Sequence, residues 1–420
     1  MSSLHPPRGE ELQQSRANIL SSSVDIACKV SKSFLTRSVR TTKMSNQSIR
    51  IMALGPVPPP YHGVATFLRD LLNQEEDSQI KLLHLDTSDA RDASNLGRWD
   101  VTNIQLGIRQ LAQLAAVCMR TDIDIVYLPV SQNVPAFLRD ALFIIQSRLL
   151  GKRVLIHLHG GYFRKLYENE GGGFFRLIVR AAMCCVSGAV VLGEEFRGIF
   201  AGLVPPERVF VVENGVPDPG AWELRARSQK VPGETLLYMS TLTQTKGILE
   251  LLQAVSFLRQ AYPAIRLIVA GQWAEDSLRS KAEVLIEREQ IQPNVTFVGH
   301  VSGTAKAEFL SAGDIFCLPT HYPYEGQPLV ILEAMAAGLP VLSTRHGVIG
   351  STVLAGNTGW LLPKDATAEM LADALRQMLS DKKQLIEFGR NARQRYLDCY
   401  TLEACHRRLF QVFHSTYGCR

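Results

Sequence analysis

Ile315-Phe-Cys-Leu-Pro-Thr-His321-Tyr-Pro-Tyr-Glu325-Gly-Gln-Pro328-Leu-Val-Ile-Leu-Glu333-Ala-Met-Ala-Ala-Gly338-Leu-Pro340-Val-Leu-Ser343 reads as strand, loop, helix and strand. Ile315–Leu318 and Pro340–Ser343 are short apolar runs of buried-strand type. Between them, Pro328 suits the first position of a helix and Gly338 its end. The same rhythm extends upstream through strands at Thr235–Met239, Ile265–Ala270 and Val295–Val298, with helices at Ile248–Gln260 and Ala274–Glu289. It occurs once more earlier in the chain. There Ile49–Leu54 leads to a helix over Val64–Leu72, and Ile80–Leu85, Ile123–Leu128, Val154–Leu158, Ala189–Leu192 and Val209–Val212 follow as strands. Such runs, lacking polar alternation, suit parallel sheets covered on both faces. The polar, Pro/Gly-punctuated stretch 216–232 separates the two series and reads as a linker. The expected fold class is therefore α/β, with two doubly wound Rossmann-like domains, 49–215 and 233–395, facing across a cleft. Ligands of such sheets bind beyond the carboxyl ends of the strands.

Composition narrows the function. The chain has 420 residues, 46% hydrophobic and 20% charged, which suits two or three globular domains and excludes a mostly disordered chain. No apolar run approaches the roughly 18 residues that span a bilayer. Of the net charge of +5, all resides in residues 1–50, with eight Lys/Arg and three Asp/Glu; the other 370 residues carry 37 of each sign. A nucleic-acid partner is not expected from such a distribution. Eight cysteines without CxxC spacing read as reduced thiols of a cytoplasmic protein. Residues 1–48, with eleven serines, read as a disordered tail; an organellar transit peptide or a true start at Met44 are the other readings, and the last is preferred because the first strand begins at Ile49.

Two carboxylates in the opening stretch point to chemistry. Glu333 is the only polar residue from Leu329 to Ala337, and a carboxylate on a buried helix needs donors. Ribose hydroxyls would supply them. Glu325 precedes the helix, where the amides of Gly326 and Gln327 and the helix dipole favour phosphate. The bland reading makes Glu325 a helix N-terminal charge and Glu333 a surface carboxylate.

Seven residues separate Glu325 from Glu333, and Ala-Met-Ala-Ala-Gly338-Leu-Pro340-Val follows. This resembles the E-x7-E signature of family 4 glycosyltransferases, retaining enzymes of the GT-B fold. Leu54-Gly-Pro-Val-Pro-Pro-Pro-Tyr-His-Gly63 resembles the family's glycine loop, and Leu158-His159-Gly160-Gly161 its His-Gly motif. Glu213-Asn214-Gly215-Val216, Thr245-Lys246-Gly247, Val295-Thr-Phe-Val-Gly299-His300-Val301 and Tyr400-Thr-Leu-Glu403 are similar to further motifs. The resemblance covers residues 49–415. It implies a glycosyltransferase that takes a UDP- or GDP-sugar donor and a glycan or lipid-linked acceptor, and needs no metal or other cofactor.

The resemblance also implies roles. His159 and Glu325 are the expected catalytic residues, His159 touching the transferred sugar from across the cleft and Glu325 meeting it near its anomeric centre. Lys246 is expected on the diphosphate, Glu333 on the ribose, and His300 and Val301 in the loop that holds the base. Gly63, Gly326, Gln327 and Pro328 are expected beside the phosphates, and residues 396–420 are expected to form a helix returning to the first domain. The family's usual arginine, five residues before the lysine, is Thr241 here. Arg345 is the candidate for a substituting cation.

Other features are weaker. Asp122-Ile-Asp124 precedes its apolar run instead of following it, so a metal site is not expected there, and Gly171-Gly-Gly173 reads as a mobile loop rather than a P-loop. Residues 139–180 hold eight Lys/Arg against three Asp/Glu flanking apolar stretches. They read either as core helices with solvated charges or as a basic rim meeting anionic lipid at the inner face of the cytoplasmic membrane. A nucleotide-sugar 2-epimerase and a catalytically weak partner subunit are the alternative functions.

Overall fold

The computed structural model describes residues 48–59, 63–74, 79–88, 101–223 and 233–418, and for 101–104 the backbone only. The expectations for the tail, for Pro60–His62 of the glycine loop and for residues 224–232 lie outside these.

Two six-stranded parallel sheets are present among the described residues. The first contains β1 (Ile49–Gly55), β2 (Ile80–Asp86), β3 (Ile125–Pro129), β4 (Arg153–Leu158), β5 (Gly188–Val191) and β6 (Val209–Val211), in the order β2-β1-β3-β4-β5-β6. The second contains β7 (Thr235–Met239), β8 (Arg266–Ala270), β9 (Val295–Gly299), β10 (Ile315–Leu318), β11 (Val341–Thr344) and β12 (Gly359–Leu362), in the order β12-β11-β10-β7-β8-β9. In both, the first strand of the series lies mid-sheet and the chain reverses beside it. The loops after β1 and β3, and after β7 and β10, therefore flank the crevices where doubly wound sheets hold ligands.

Alternation along the strands fixes the layers. Met52, Leu54, Val126, Leu128, Val154 and Ile156 point to one face of the first sheet. That face is covered by α2 (Val101–Arg120), α3 (Val134–Leu149) and α4 (Gly172–Cys184). Helix α1 (Gly63–Leu72) lies on the other face, where Ile51, Ala53, Ile125, Tyr127 and Leu155 meet Phe67 and Leu68. The second sheet is covered by α5 (Ile248–Leu258), α6 (Asp276–Arg288), α7 (Gly303–Ala312), α8 (Leu329–Ala336), α9 (Ala368–Ser380) and α10 (Lys382–Cys399). Helix α11 (Leu402–Gly418) buries Leu409 and Phe413 on the α1 face of the first sheet. Residues 396–399 still belong to α10, with Tyr396 in the second core, so the returning helix starts later than expected.

Several local expectations need correction. Strand β3 begins at Ile125, not Ile123, because the Asp124 carboxylate turns back to accept the Arg50 amide at 2.9 Å and ends the pairing. Pro328 caps α8 instead of occupying its first turn; its ψ of 118° is extended, while its missing N–H costs nothing there. Gly338 does follow the helix, with φ of 69°. Gly172 and Gly173 are not loop but the start of α4, whose apolar residues Phe175, Val179 and Ala182 draw the first turn onto the core. Strand β12 was not anticipated: four residues at the end of a sheet carry little periodic signal.

Candidate functional site

A cleft of about 1270 Å³ lies between the carboxyl ends of the two sheets, lined from the first by Gly63 and His159 and from the second by Thr241, Lys246, His300, Val301, Gly326, Gln327, Pro328 and both glutamates. All eleven expected site residues thus face one space. Arg345 is not among its lining residues, so the expected substitute for the missing arginine is misplaced: β11 ends one strand away from the β7–β10 crevice.

Two lysine–glutamate pairs sit in the second-sheet half. Glu325 Oε2 accepts from Lys246 Nζ at 2.6 Å and from Thr320 Oγ1 at 2.7 Å, and Glu325 is only 6% exposed. Lys246 arrives there from the loop after β7 because Gly247 takes a left-handed φ of 77° to start α5; a Cβ at that position would run into the Pro319 carbonyl. Lys246 Nζ also lies 4.7 Å from the centre of the Tyr322 ring. Eight residues on, Glu333 Oε1 accepts from Lys306 Nζ of α7 at 2.8 Å. Burial pushes the Glu333 carboxyl up from the ordinary range, and Lys306 opposes that shift. Glu333 is therefore neither a surface carboxylate nor dependent on ligand hydroxyls alone. Lys306 was missed by sequence reading, since nothing in a 27-residue separation announces the pair.

Gln327 is mostly committed elsewhere. Its Oε1 accepts from the Asn214 amide at 2.7 Å, its carbonyl from Asn214 Nδ2 at 3.2 Å, and its Nε2 donates to Thr352 Oγ1 at 3.0 Å. The side chain ties the end of the first series to the second, so only its backbone is placed to serve a ligand. Gly63 opens α1, is exposed, and has nothing within 4 Å of a would-be Cβ, so no contact within the chain demands glycine there.

From the first sheet, the loop after β4 carries His159. Its ring stacks on His157 with centroids 3.9 Å apart and on the edge of Phe67 at 4.8 Å. His157 is fully buried and bonded through Nδ1 to the Tyr127 hydroxyl at 2.6 Å. Burial, and then the neighbouring His159, hold its pKa well below the usual histidine value, so the pair stacks without two adjacent positive charges. The two halves touch directly here. A Cβ on Gly326 would collide with the His159 carbonyl oxygen, and the rings of Tyr162 and Tyr324 lie 4.3 Å apart.

Arg69, paired with Asp70 at 2.6 Å, and Arg139, paired with Asp140 at 3.0 Å, add two further cations to the cleft wall. Asp122 pairs loosely with Arg50 at 3.6 Å at the amino end of β3, opposite to the cleft. Among the described residues, no three His, Cys, Asp or Glu side chains gather in a metal-binding group. What the cleft offers is four cations, each held by an acidic side chain, beside a helix N-terminus, and two largely buried carboxylates able to accept from hydroxyl groups.

Comparisons with known proteins agree with this geometry. Residues 221–395 match the model of the family described as glycosyl transferases group 1. The chain is 30% identical over 240 residues to a glycogen synthase of Mycobacterium tuberculosis, covering 56% of this chain and 55% of that one. It is 25% identical over 273 residues to the GDP-mannose:cellobiosyl-diphosphopolyprenol alpha-mannosyltransferase of Xanthomonas campestris, covering 64% and 70%. The chain thus spans about half the length of the first of these relatives. The crystal structure of HepE of Anabaena in complex with UDP superposes with a TM-score of 0.66 at 17% identity, over 87% of this chain and all of that one. The two sheets and this likeness make the fold GT-B.

Proposed function

We propose that the chain is a glycosyl transferase of group 1, the family that residues 221–395 match, and that it transfers a sugar from a nucleotide-diphosphate donor to an acceptor hydroxyl with retention of configuration. The observation that carries this reading is the pair of partly buried lysine–glutamate contacts on the loops and helices around the β7–β10 crevice. Lys246 and the amides of Gly326 and Gln327 take the diphosphate, Glu333 the ribose, and Glu325 the sugar beside its reacting carbon. The loop of His300 and Val301 holds the base. His159 contacts the sugar from the opposite wall. In the step itself the anomeric C–O bond to phosphate breaks, a bond to the acceptor oxygen forms, and the acceptor proton leaves with the nucleotide diphosphate. Lysines and amides neutralise the leaving group, so the reaction requires no metal or other cofactor. The UDP complex of HepE and the GDP-mannose donor named for the Xanthomonas relative support a UDP- or GDP-sugar. The diphosphopolyprenol of that relative supports a lipid-linked glycan acceptor, in polysaccharide or glycolipid biosynthesis at the inner face of the cytoplasmic membrane.

A panel of UDP- and GDP-sugars, with nucleotide diphosphate release followed with and without a membrane extract, tests this. Release that requires the extract, survives chelator and falls at least a hundredfold in Glu325→Ala and His159→Ala is expected. Donor epimerisation without release would establish an isomerase. Binding of donors without turnover would instead establish the weak partner subunit that Thr241 invites.

A further inference from the structure

The layer of α2, α3 and α4 has an outward surface that the cleft does not use. The three helices lie side by side on one face of the first sheet, with α3 packed against both neighbours. Ile108 and Met119 of α2, Leu142 and Leu149 of α3, and Phe174 and Leu177 of α4 are each more than half exposed. Their spacing is helical: Leu142 and Leu149, seven residues apart, lie on one side of α3 with half-buried Ile145 between them, beside the buried stripe of Phe137, Ala141 and Ile144. Each helix therefore buries one apolar side and leaves two large apolar residues exposed. Scattered exposed apolar residues are ordinary; six large ones in one layer are not.

Charge on this layer has one sign. The three helices carry six arginines and a single acidic residue, Asp140, which is buried and paired with Arg139. Arg109, Arg120, Arg148, Arg176 and Arg180 are exposed around the apolar residues. Two copies of the chain docked symmetrically through this face would set arginines against arginines. An anionic lipid surface complements both features at once, with apolar side chains entering the acyl boundary and arginines meeting headgroups.

We propose that the α2–α3–α4 surface is a docking face for an anionic membrane. The proposal rests on the lipid-linked acceptor of the preceding reading and gives it a location. Helix α3 joins surface to cleft: Asn133, Ala136 and Arg139 at its start line the cleft, and Leu142 follows three residues later. A lipid carrier held in the bilayer is thereby presented to the cleft wall that carries His159. The rim expected from sequence at 139–180 becomes an apolar face with a basic border, and it extends to α2.

Flotation of the full chain with vesicles tests this without any sugar substrate. Vesicles of phosphatidylethanolamine and phosphatidylglycerol should carry the chain, while pure phosphatidylcholine vesicles should carry at least tenfold less, and salt should weaken the binding. Leu149→Gln with Phe174→Gln, and separately Arg176→Glu with Arg180→Glu, should each reduce partitioning at least tenfold at unchanged melting temperature. Val284→Gln, at an exposed apolar residue of α6 outside the first sheet's helix layer, should leave it unchanged. A chain that stays with the aqueous phase, variants that float like the wild type, or a dimer dissolved by Leu149→Gln without vesicle binding would each overturn the proposal. Flotation together with no activity on any donor would leave this surface standing and refute the glycosyltransferase reading.

Discussion

Lys306 and Thr241 set the donor side of the cleft at the scale of single residues. Lys306 opposes the upward push that burial gives the Glu333 carboxyl, so Lys306→Met should raise it further. Calorimetric titration of UDP should then show weaker binding than wild type at the lower of two pH values, with the difference shrinking as the pH rises. Equal affinity in both proteins at both pH values would separate Glu333 from the ribose. Glu333→Ala should cost about 1.5–3 kcal/mol of UDP affinity, one charge-assisted bond, at every pH. Thr241 is exposed at the cleft wall, with room for a longer side chain. Thr241→Arg should tighten UDP by about 1 kcal/mol, the difference between a charged and a neutral contact. Arg345→Ala should leave it unchanged because Arg345 does not line the cleft. Weaker binding in Thr241→Arg would show that another cation already holds the diphosphate.

At the scale of elements, two loops are held against each other at van der Waals distance. The loop after β4 and the loop after β10 meet through glycines, because side chains at Gly160 and Gly326 would strike the Tyr324 and His159 carbonyls. Gly326→Ala should therefore force the loops apart and displace His159 relative to Glu325. The expected result is a fall in turnover of at least tenfold with a melting temperature lowered by a few degrees. Full activity with normal melting would mean that the loops separate during each cycle, and that their contact is not part of the reacting arrangement. Beneath them, Tyr127 and His157 support His159 from inside the first sheet, and Phe413 of α11 packs edge-on against Tyr127 at 5.5 Å.

For the whole molecule, the two crossings between sheets are tied together. Val216 N–H donates to the Tyr400 carbonyl at 3.1 Å, the Tyr396 hydroxyl to the Val216 carbonyl at 3.0 Å, and Arg393 pairs with Asp218 at 2.5 Å. The two crossing segments thus run side by side, joined at a single parallel bridge between Val216 and Thr401. Global stability should also respond to acid through histidines. Burial lowers the pKa of His157, His346 and His406, so the folded chain binds fewer protons at these rings than the unfolded chain does. Stability is accordingly complete above the unfolded value of about 6.5 and falls as pH drops below it, by up to about 1.4 kcal/mol per pH unit for fully buried His157. Denaturant titrations at pH 7.5, 6.5 and 5.5 should show that loss, and His157→Phe should flatten it. An unchanged slope in that variant would place the acid sensitivity elsewhere.

Strands such as Thr235–Met239 and Ile315–Leu318 were legible to the residue, because a strand buried on both faces must be apolar throughout, whatever surrounds it. Glu325 and Glu333 stood out for a related reason, as carboxylates at the start of and within an apolar helix, where a polar side chain needs a purpose; Lys246 and His159 were named through the resemblance of their motifs to a family. What each of them touches was not legible. Lys306 reaches Glu333, and Asn214 reaches Gln327, only after chain segments 27 and 113 residues apart have been brought together. The exclusion of Arg345, the early start of α4 and the exposed apolar residues of α2, α3 and α4 are likewise tertiary facts. Periodicity states that a residue lies on a helix face, but whether that face meets a core, a cleft or the outside depends on what the rest of the chain packs against it. The two parallel sheets and the residues gathered at their ends follow from the order of residues along the chain; their partners follow only from the packed fold, because hydrogen bonds and ion pairs are contacts over a few ångströms between groups that the chain order leaves far apart.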